Sequence, residues 1–359
     1  MSRFFSKKYD SLVPYTPGEQ PKDRVFIKLN TNESPFPPSP KAQAYAREAA
    51  ESLQLYSDPE CTALVRTAAK QLGIGEDEIL FTNGSDEILN FAFMAFCDGG
   101  VVFPDITYGF YKVYAKLNGV PYTEIPLRAD FSIDISKYCG INKAIFIANP
   151  NAPTGLCLPL ADIEAIVRSN PNSVVVIDEA YIDFGGESAV PLIRKYDNLL
   201  VTQTFSKSRS MAGGRLGMGI GCKALIRDLN TIKYSTNPYN INRMTMAAGI
   251  GALEDEDYFR NNCQAIMENR TWTAGRLAEL GFAMTDSRTN FLFVKHPAIT
   301  GKALYTALRE KGILVRHFDT PRLTDYIRVT IGSKEQMERF IAAVNAIPQG
   351  GHNYENRHH

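Results

Sequence analysis

Lys207 lies in the segment TFSKSRSMAGGRLGMGIG, at the end of an apolar, β-rich run and between Ser206 and Ser208. A lysine that condenses with a carbonyl must leave solvent and lose its proton readily; the plainer reading of an isolated Ser-Lys pair is a solvated loop lysine. Ser206, Ser208 and Arg215, which follows a Gly pair, are residue types that hold a dianionic phosphate. The glycines spell neither G-x-G-x-x-G nor G-x-x-x-x-G-K-[ST], so this segment is neither a dinucleotide fingerprint nor a P-loop. Asp178 ends the run VVVI, where an acid is costly unless it meets a positive partner. A protonated ring nitrogen would be such a partner; helix or turn capping is the plainer alternative.

Two further segments can contribute polar groups. Asn151, in NPNAPTG, is locally a turn residue, but after a buried strand it could donate to a ring-bound oxygen. Tyr181, three residues past Asp178, is a packing residue by type that could reach the same oxygen. Ser85 and Asp86 open a helix directly after Gly84. Asp86 and Glu87 there suit the helix dipole, and the free N–H groups suit a phosphate; the segment alone does not separate these readings.

The elements that must position these residues follow from hydrophobic pattern. Residues 28–40 (KLNTNESPFPPSP) are too proline-rich for a helix or central strand and read as an extended arm. Helices are expected near 42–53 and 62–72, then a strand in EILFT and a helix in SDEILNFAFMAF. GVVFPD, KAIFIANP, SVVVIDEA and LLVTQTFS read as strands; such continuous apolar runs suit parallel strands covered on both faces. Ligands gather at the carboxyl ends of such strands, where Asn151, Asp178 and Lys207 fall. After Pro238 the texture changes to helical periods over about 244–280, then strands in NFLFVK, GILVRHF and YIRVTIG with helices between and after. The expected division is an arm with part of a small domain over 1–40, a large domain over 41–242 and a small α+β domain over 243–348. A disordered polar tail is expected over 349–359.

Composition limits the partners. Lys plus Arg and Asp plus Glu each total 39, so no net field draws the chain to nucleic acid or anionic membrane. The six cysteines are scattered without a CxxC pair, as free thiols of a reducing compartment would be, and no metal site is expected. No stretch approaches the ~20 apolar residues of a membrane span, and the first residues lack a signal peptide's apolar run. A cytoplasmic location is expected.

LNTNESPFPPSP, TNGSDEILN, PDITYGFY, NPNAPTG, IDEAYIDF, FSKSRSMAGGRLG, PYNIN and VRHFDTPRLTDYIRVTIG occur in one order across nearly the whole chain. Together they resemble fold-type I, class II pyridoxal-phosphate aminotransferases, specifically the histidinol-phosphate aminotransferase family. The resemblance implies an α/β fold with a large, mostly parallel sheet domain and a smaller α+β domain. It implies that Lys207 carries pyridoxal 5'-phosphate as a Schiff base, Asp178 faces the pyridine nitrogen, and Asn151 and Tyr181 contact the ring 3-hydroxyl. It further implies that Tyr108 stacks on the ring, and that Ser206, Arg215 and the amides of Ser85 and Asp86 hold the phosphate. Tyr56 would reach the cofactor of the partner subunit in a homodimer. Arg328 would bind the substrate's acidic group, with Arg316 and Tyr15 nearby. The implied substrates are an amino donor, histidinol phosphate, and 2-oxoglutarate. An aromatic amino-acid aminotransferase and a threonine-phosphate decarboxylase are the alternatives. Ser34 in NES, Ser57 after Tyr56, and Arg209 and Ser210 depart from the usual family pattern.

Overall fold

A computed structural model describes residues 2–10, 12–14, 18–21 and 24–347. Tyr15 and the expected tail lie outside these. The chain enters through β1 (Ile27–Lys28) and passes α1 (Pro40–Ala50) and α2 (Thr62–Leu72). Ser39 caps α1 by accepting from the Ala42 amide, and Gly73, in the left-handed region, ends α2.

Next come β2 (Ile79–Thr82), α3 (Ser85–Phe96), β3 (Val101–Pro104), α4 (Phe110–Asn118) and β4 (Tyr122–Ile125). They are followed by β5 (Ala144–Ala148), α5 (Leu160–Ser169), β6 (Val175–Asp178), β7 (Leu199–Thr204), β8 (Gly217–Gly221) and α6 (Lys223–Thr236). These strands form one seven-stranded sheet in the order β2-β8-β7-β6-β5-β3-β4. All of its pairings are parallel except those of β8, which runs antiparallel to both β2 and β7. The interior strands β5 and β6 are buried at every residue, because helices cover both faces of the sheet. The register Ala148–Asp178–Thr202 aligns the carboxyl ends of β5, β6 and β7 at one edge. Since β8 is antiparallel to both neighbours, the carboxyl end of β2 falls at that edge too.

The second body begins with helices. The helical periods expected over about 244–280 form two helices, α7 (Arg243–Glu254) and α8 (Glu256–Glu279), which meet at Asp255. Met246, Ala252 and Leu253 of α7 pack with Ala42 and Leu64 in the core of the large sheet, whereas Cys263, Ile266 and Leu277 of α8 join a separate cluster. By that packing α7 joins the core of the large sheet and α8 the other cluster. β9 (Ala283–Met284), β10 (Phe291–Lys295), α9 (Gly301–Glu310), β11 (Ile313–Leu314), β12 (Arg316–His317), β13 (Tyr326–Thr330) and α10 (Lys334–Asn345) complete the chain. A four-stranded antiparallel sheet runs β12-β13-β10-β9. The segment GILVRHF divides: β11 pairs with β1 of the arm, and β12 pairs with β13. The arm is thereby tied into the second body, with Leu29 in its core.

Candidate active site

Asp178, the last residue of β6, is 4 % exposed. Its Oδ2 accepts from Tyr111 Oη at 2.9 Å and its Oδ1 from Thr202 Oγ1 at 3.1 Å. Burial nevertheless pushes its carboxyl up to about 6, because neutral donors, the two hydroxyls and the Ala180 amide, do not replace the hydration of a full charge. None of these donors is a cation, so the site holds an acid that a positively charged ring nitrogen would suit.

At the same edge the N-terminus of α3 faces Arg215. Gly84, in the left-handed region at φ 77°, provides no side-chain cap for the helix. A Cβ on Gly84 would collide with the Arg215 guanidinium, and one on Gly217 with the Ser85 amide. Glycine is therefore required at both places to let the helix amides, β8 and the arginine converge. Arg215 donates to Ser206 Oγ at 3.4 Å and pairs with Asp86 Oδ2 at 3.0 Å, while Tyr108 Oη donates to Asp86 Oδ1 at 2.6 Å. Ser85, Asp86, Tyr108, Ser206 and Arg215 thus form one cluster of helix amides, hydroxyls and a guanidinium suited to a phosphate. The Asp86 carboxylate, expected to contribute only through its amide, also occupies Arg215, and a phosphate there would have to compete with it.

The arm closes the cluster from the other side. The half-buried Lys207 donates from Nζ to Thr31 O at 3.3 Å and sits 5.8 Å from the Tyr181 ring centroid. Arg328 donates to Asn30 O at 3.1 Å. Consecutive carbonyls of one arm segment therefore gather the cation of β13 and the cation beyond β7. Arg316 stands directly across the ladder from Arg328, and both guanidinium groups lie within 6 Å of the Phe318 ring, at 5.6 and 5.8 Å. Two guanidinium forks so placed on neighbouring strands are of the type that suits one shared anion.

Asn151 is buried at the expected edge, but its amide donors go to Ile106 O at 3.1 Å and Thr154 Oγ1 at 2.9 Å, and its Oδ1 accepts from Thr107 Oγ1. Donation to a ring oxygen would require exchanging one of these bonds. Tyr56 stands apart from these contacts: it is 79 % exposed, its ring stacks on Tyr239 at 4.6 Å, and its carbonyl accepts from Arg243. Tyr111 and Thr202 hold Asp178 without having been expected at the site. Tyr111 follows Tyr108 at helical spacing, a signal available in the sequence. Thr202 becomes a neighbour of Asp178 only through the β6–β7 register.

Residues 24–344 match the family described as Aminotransferase class I and II. The chain is 50 % identical over 351 residues to a histidinol-phosphate aminotransferase of Brachyspira hyodysenteriae, covering 97 % of this chain and 99 % of that one. It is 46 % identical over 344 residues to one from Clostridium acetobutylicum, covering 95 % and 98 %. Its fold is similar to that of histidinol-phosphate aminotransferase from Sinorhizobium meliloti in complex with pyridoxal-5'-phosphate. The TM-score there is 0.87 at 24 % identity, over 97 % of this chain and 99 % of that one.

Proposed function

Because the chain belongs to the class I and II aminotransferases, and within them to the histidinol-phosphate aminotransferase family, we propose that it transfers an amino group from histidinol phosphate to 2-oxoglutarate in histidine biosynthesis. Pyridoxal phosphate supplies the carbonyl that takes up the amino group and the ring that accepts electrons released at the substrate Cα. The observation that carries this reading is the buried Asp178, held by Tyr111 and Thr202 and, among the described residues, with no cationic partner at the strand edge shared with Lys207. The Asp178 carboxylate would keep the ring nitrogen protonated. Lys207 would hold the cofactor and, once its amine is released, carry the proton from Cα as general base and deliver it again as general acid. Tyr181 and Asn151 would orient the ring through its oxygen, and Tyr108 would cover its face. The amides of Ser85 and Asp86, with Ser206 and Arg215, would hold the phosphate.

Arg316 and Arg328 would receive the acidic group of either substrate, since a guanidinium fork fits a phosphate and a carboxylate alike. Arg316→Met should lower kcat/KM for histidinol phosphate by about ten- to a hundredfold, the worth of one charge-assisted hydrogen bond. Its effect on glutamate should be several-fold smaller, because a dianion engages both forks. Arg328→Met should impair both substrates about equally. Steady-state kinetics on the two donors test this directly. Preference of the unaltered enzyme for phenylalanine or tyrosine would replace this substrate with an aromatic one, and carbon dioxide released from threonine phosphate would identify a lyase.

The exposed Leu53, Leu55, Tyr56 and Tyr239 support a homodimer in which Tyr56 serves the neighbouring cofactor. The proposed setting is cytoplasmic; among the described residues no helix is long and apolar enough to cross a membrane. Mixing inactive Lys207→Ala subunits with Tyr56→Phe subunits should create heterodimers with one doubly altered site and one intact site. Activity should rise above that of either parent. No gain in verified heterodimers would place the action of Tyr56 within its own subunit.

A further inference from the structure

Asn32 is a non-glycine residue in the left-handed region, at φ 57°, and only 1 % exposed. That conformation is costly for most side chains and tolerated by Asn. Its hydrogen-bonding groups are spread over both bodies of the molecule. The backbone N–H donates to Thr330 Oγ1 at 2.9 Å, Thr330 Oγ1 donates back to Asn32 Oδ1 at 3.0 Å, and Asn290 Nδ2 donates to the Asn32 carbonyl at 3.0 Å. The remaining amide donor, Nδ2, reaches Tyr181 Oη at 2.9 Å. Thr330 orients the carboxamide: its hydroxyl accepts from the Asn32 backbone N–H and donates its single hydrogen to Oδ1, which leaves Nδ2 to face Tyr181. Tyr181 is thereby made to accept from Asn32, and its own hydrogen is left for another acceptor.

We propose that Asn32 is a positioning residue for the reaction. It sets the direction in which the Tyr181 hydroxyl donates and ties that hydroxyl to β13, the strand that carries Arg328. This inference rests on the reading that Tyr181 orients the cofactor through its ring oxygen. Asn32→Asp is the discriminating change: the shape, the tolerance of the left-handed region and the bond from Thr330 all persist. A carboxylate cannot donate, however, so Tyr181 must turn its hydrogen towards residue 32.

In the cofactor-loaded protein, Asn32→Asp should displace the pH midpoint of the bound-cofactor absorbance by about one unit, the scale of one hydrogen bond. It should also lower kcat about tenfold with little change in KM. The cofactor-free protein should still unfold in one transition but melt lower than the unaltered one, because the new carboxylate is as buried as the amide it replaces. Thr330→Val, which frees the carboxamide to turn, should displace the midpoint in a smaller but measurable way, and provides the same test should Asn32→Asp fail to fold. In a Tyr181→Phe background neither change should move the midpoint further.

A displacement by Asn32→Asp that persists in full in the Tyr181→Phe background would overturn the proposal, as would an unmoved midpoint in both variants. If Tyr181→Phe alone left the midpoint unmoved, the role of Tyr181 in the proposed function would fall together with this inference. If Tyr181→Phe moved it and neither other variant did, only the role of Asn32 would fall.

Discussion

Lys207→Ala should bind pyridoxal phosphate without covalent linkage and lose at least about 10⁴-fold in kcat, because one side chain serves both as anchoring amine and as proton carrier. The fold should survive: Lys207 is half-buried, and among the described residues its side chain hydrogen-bonds to the Thr31 carbonyl. Borohydride reduction of the loaded enzyme, followed by peptide mass analysis, should find the label on Lys207. The sharpest control is Lys233, another lysine withdrawn from solvent, 1 % exposed and bonded to the Pro59 carbonyl. A label on Lys233 or any other lysine would end the assignment of the active site.

Asp178→Asn should retain the cofactor while slowing proton removal at the substrate Cα by about 10²–10³-fold, the usual cost of removing one preorganised electrostatic partner. Single-turnover absorbance kinetics measure that step, and an unchanged rate would remove Asp178 from the mechanism. A second signature lies in stability. Burial raises the Asp178 carboxyl from its ordinary value near 3.8 to about 6. Between those values the folded protein holds a proton that the unfolded chain has released. Stability of the cofactor-free protein should therefore fall as pH rises through that window, by about 3 kcal/mol in all. Glu179, raised by burial to about 7, contributes a slope of the same sign and persists in both proteins. The quantity to compare is thus the difference between unaltered protein and Asp178→Asn, which should be steep from about pH 4 to 6 and flat above it. Saturation with cofactor should flatten the difference, because the ring's positive charge restores a partner to the carboxylate.

Much of the frame was legible locally. The runs VVVI and LLVTQT carry no alternation, which is what strands covered on both faces require, and they ended where Asp178 and Lys207 stand. The helix opening at Ser85 and the proline-rich arm were readable on the same grounds. β8 was not: GMGIG offers one β-branched residue, Ile220, among three glycines, and those glycines serve close approach rather than side-chain packing. The expected strand GILVRHF looked continuous because periodicity reports burial, not partner, and only assembly gives β11 to the arm and β12 to β13.

The sequence by itself therefore determined which residue types reach the carboxyl edge of a buried sheet: an amine, an acid, a phosphate-holding loop and a helix terminus. Tertiary structure alone decided what each of them touches. The Asn32–Thr330 bonds join residues 298 apart, Lys207 meets the arm across 176, and Tyr111 reaches Asp178 across 67. The same is true of Asn151, whose donors the folded chain directs to Ile106 and Thr154. The physical reason is one of range. Apolar periodicity is written within a single element and needs only one buried face, whereas a hydrogen bond across the molecule exists only after loops close and strand register is set, and several partners compete for each donor until then.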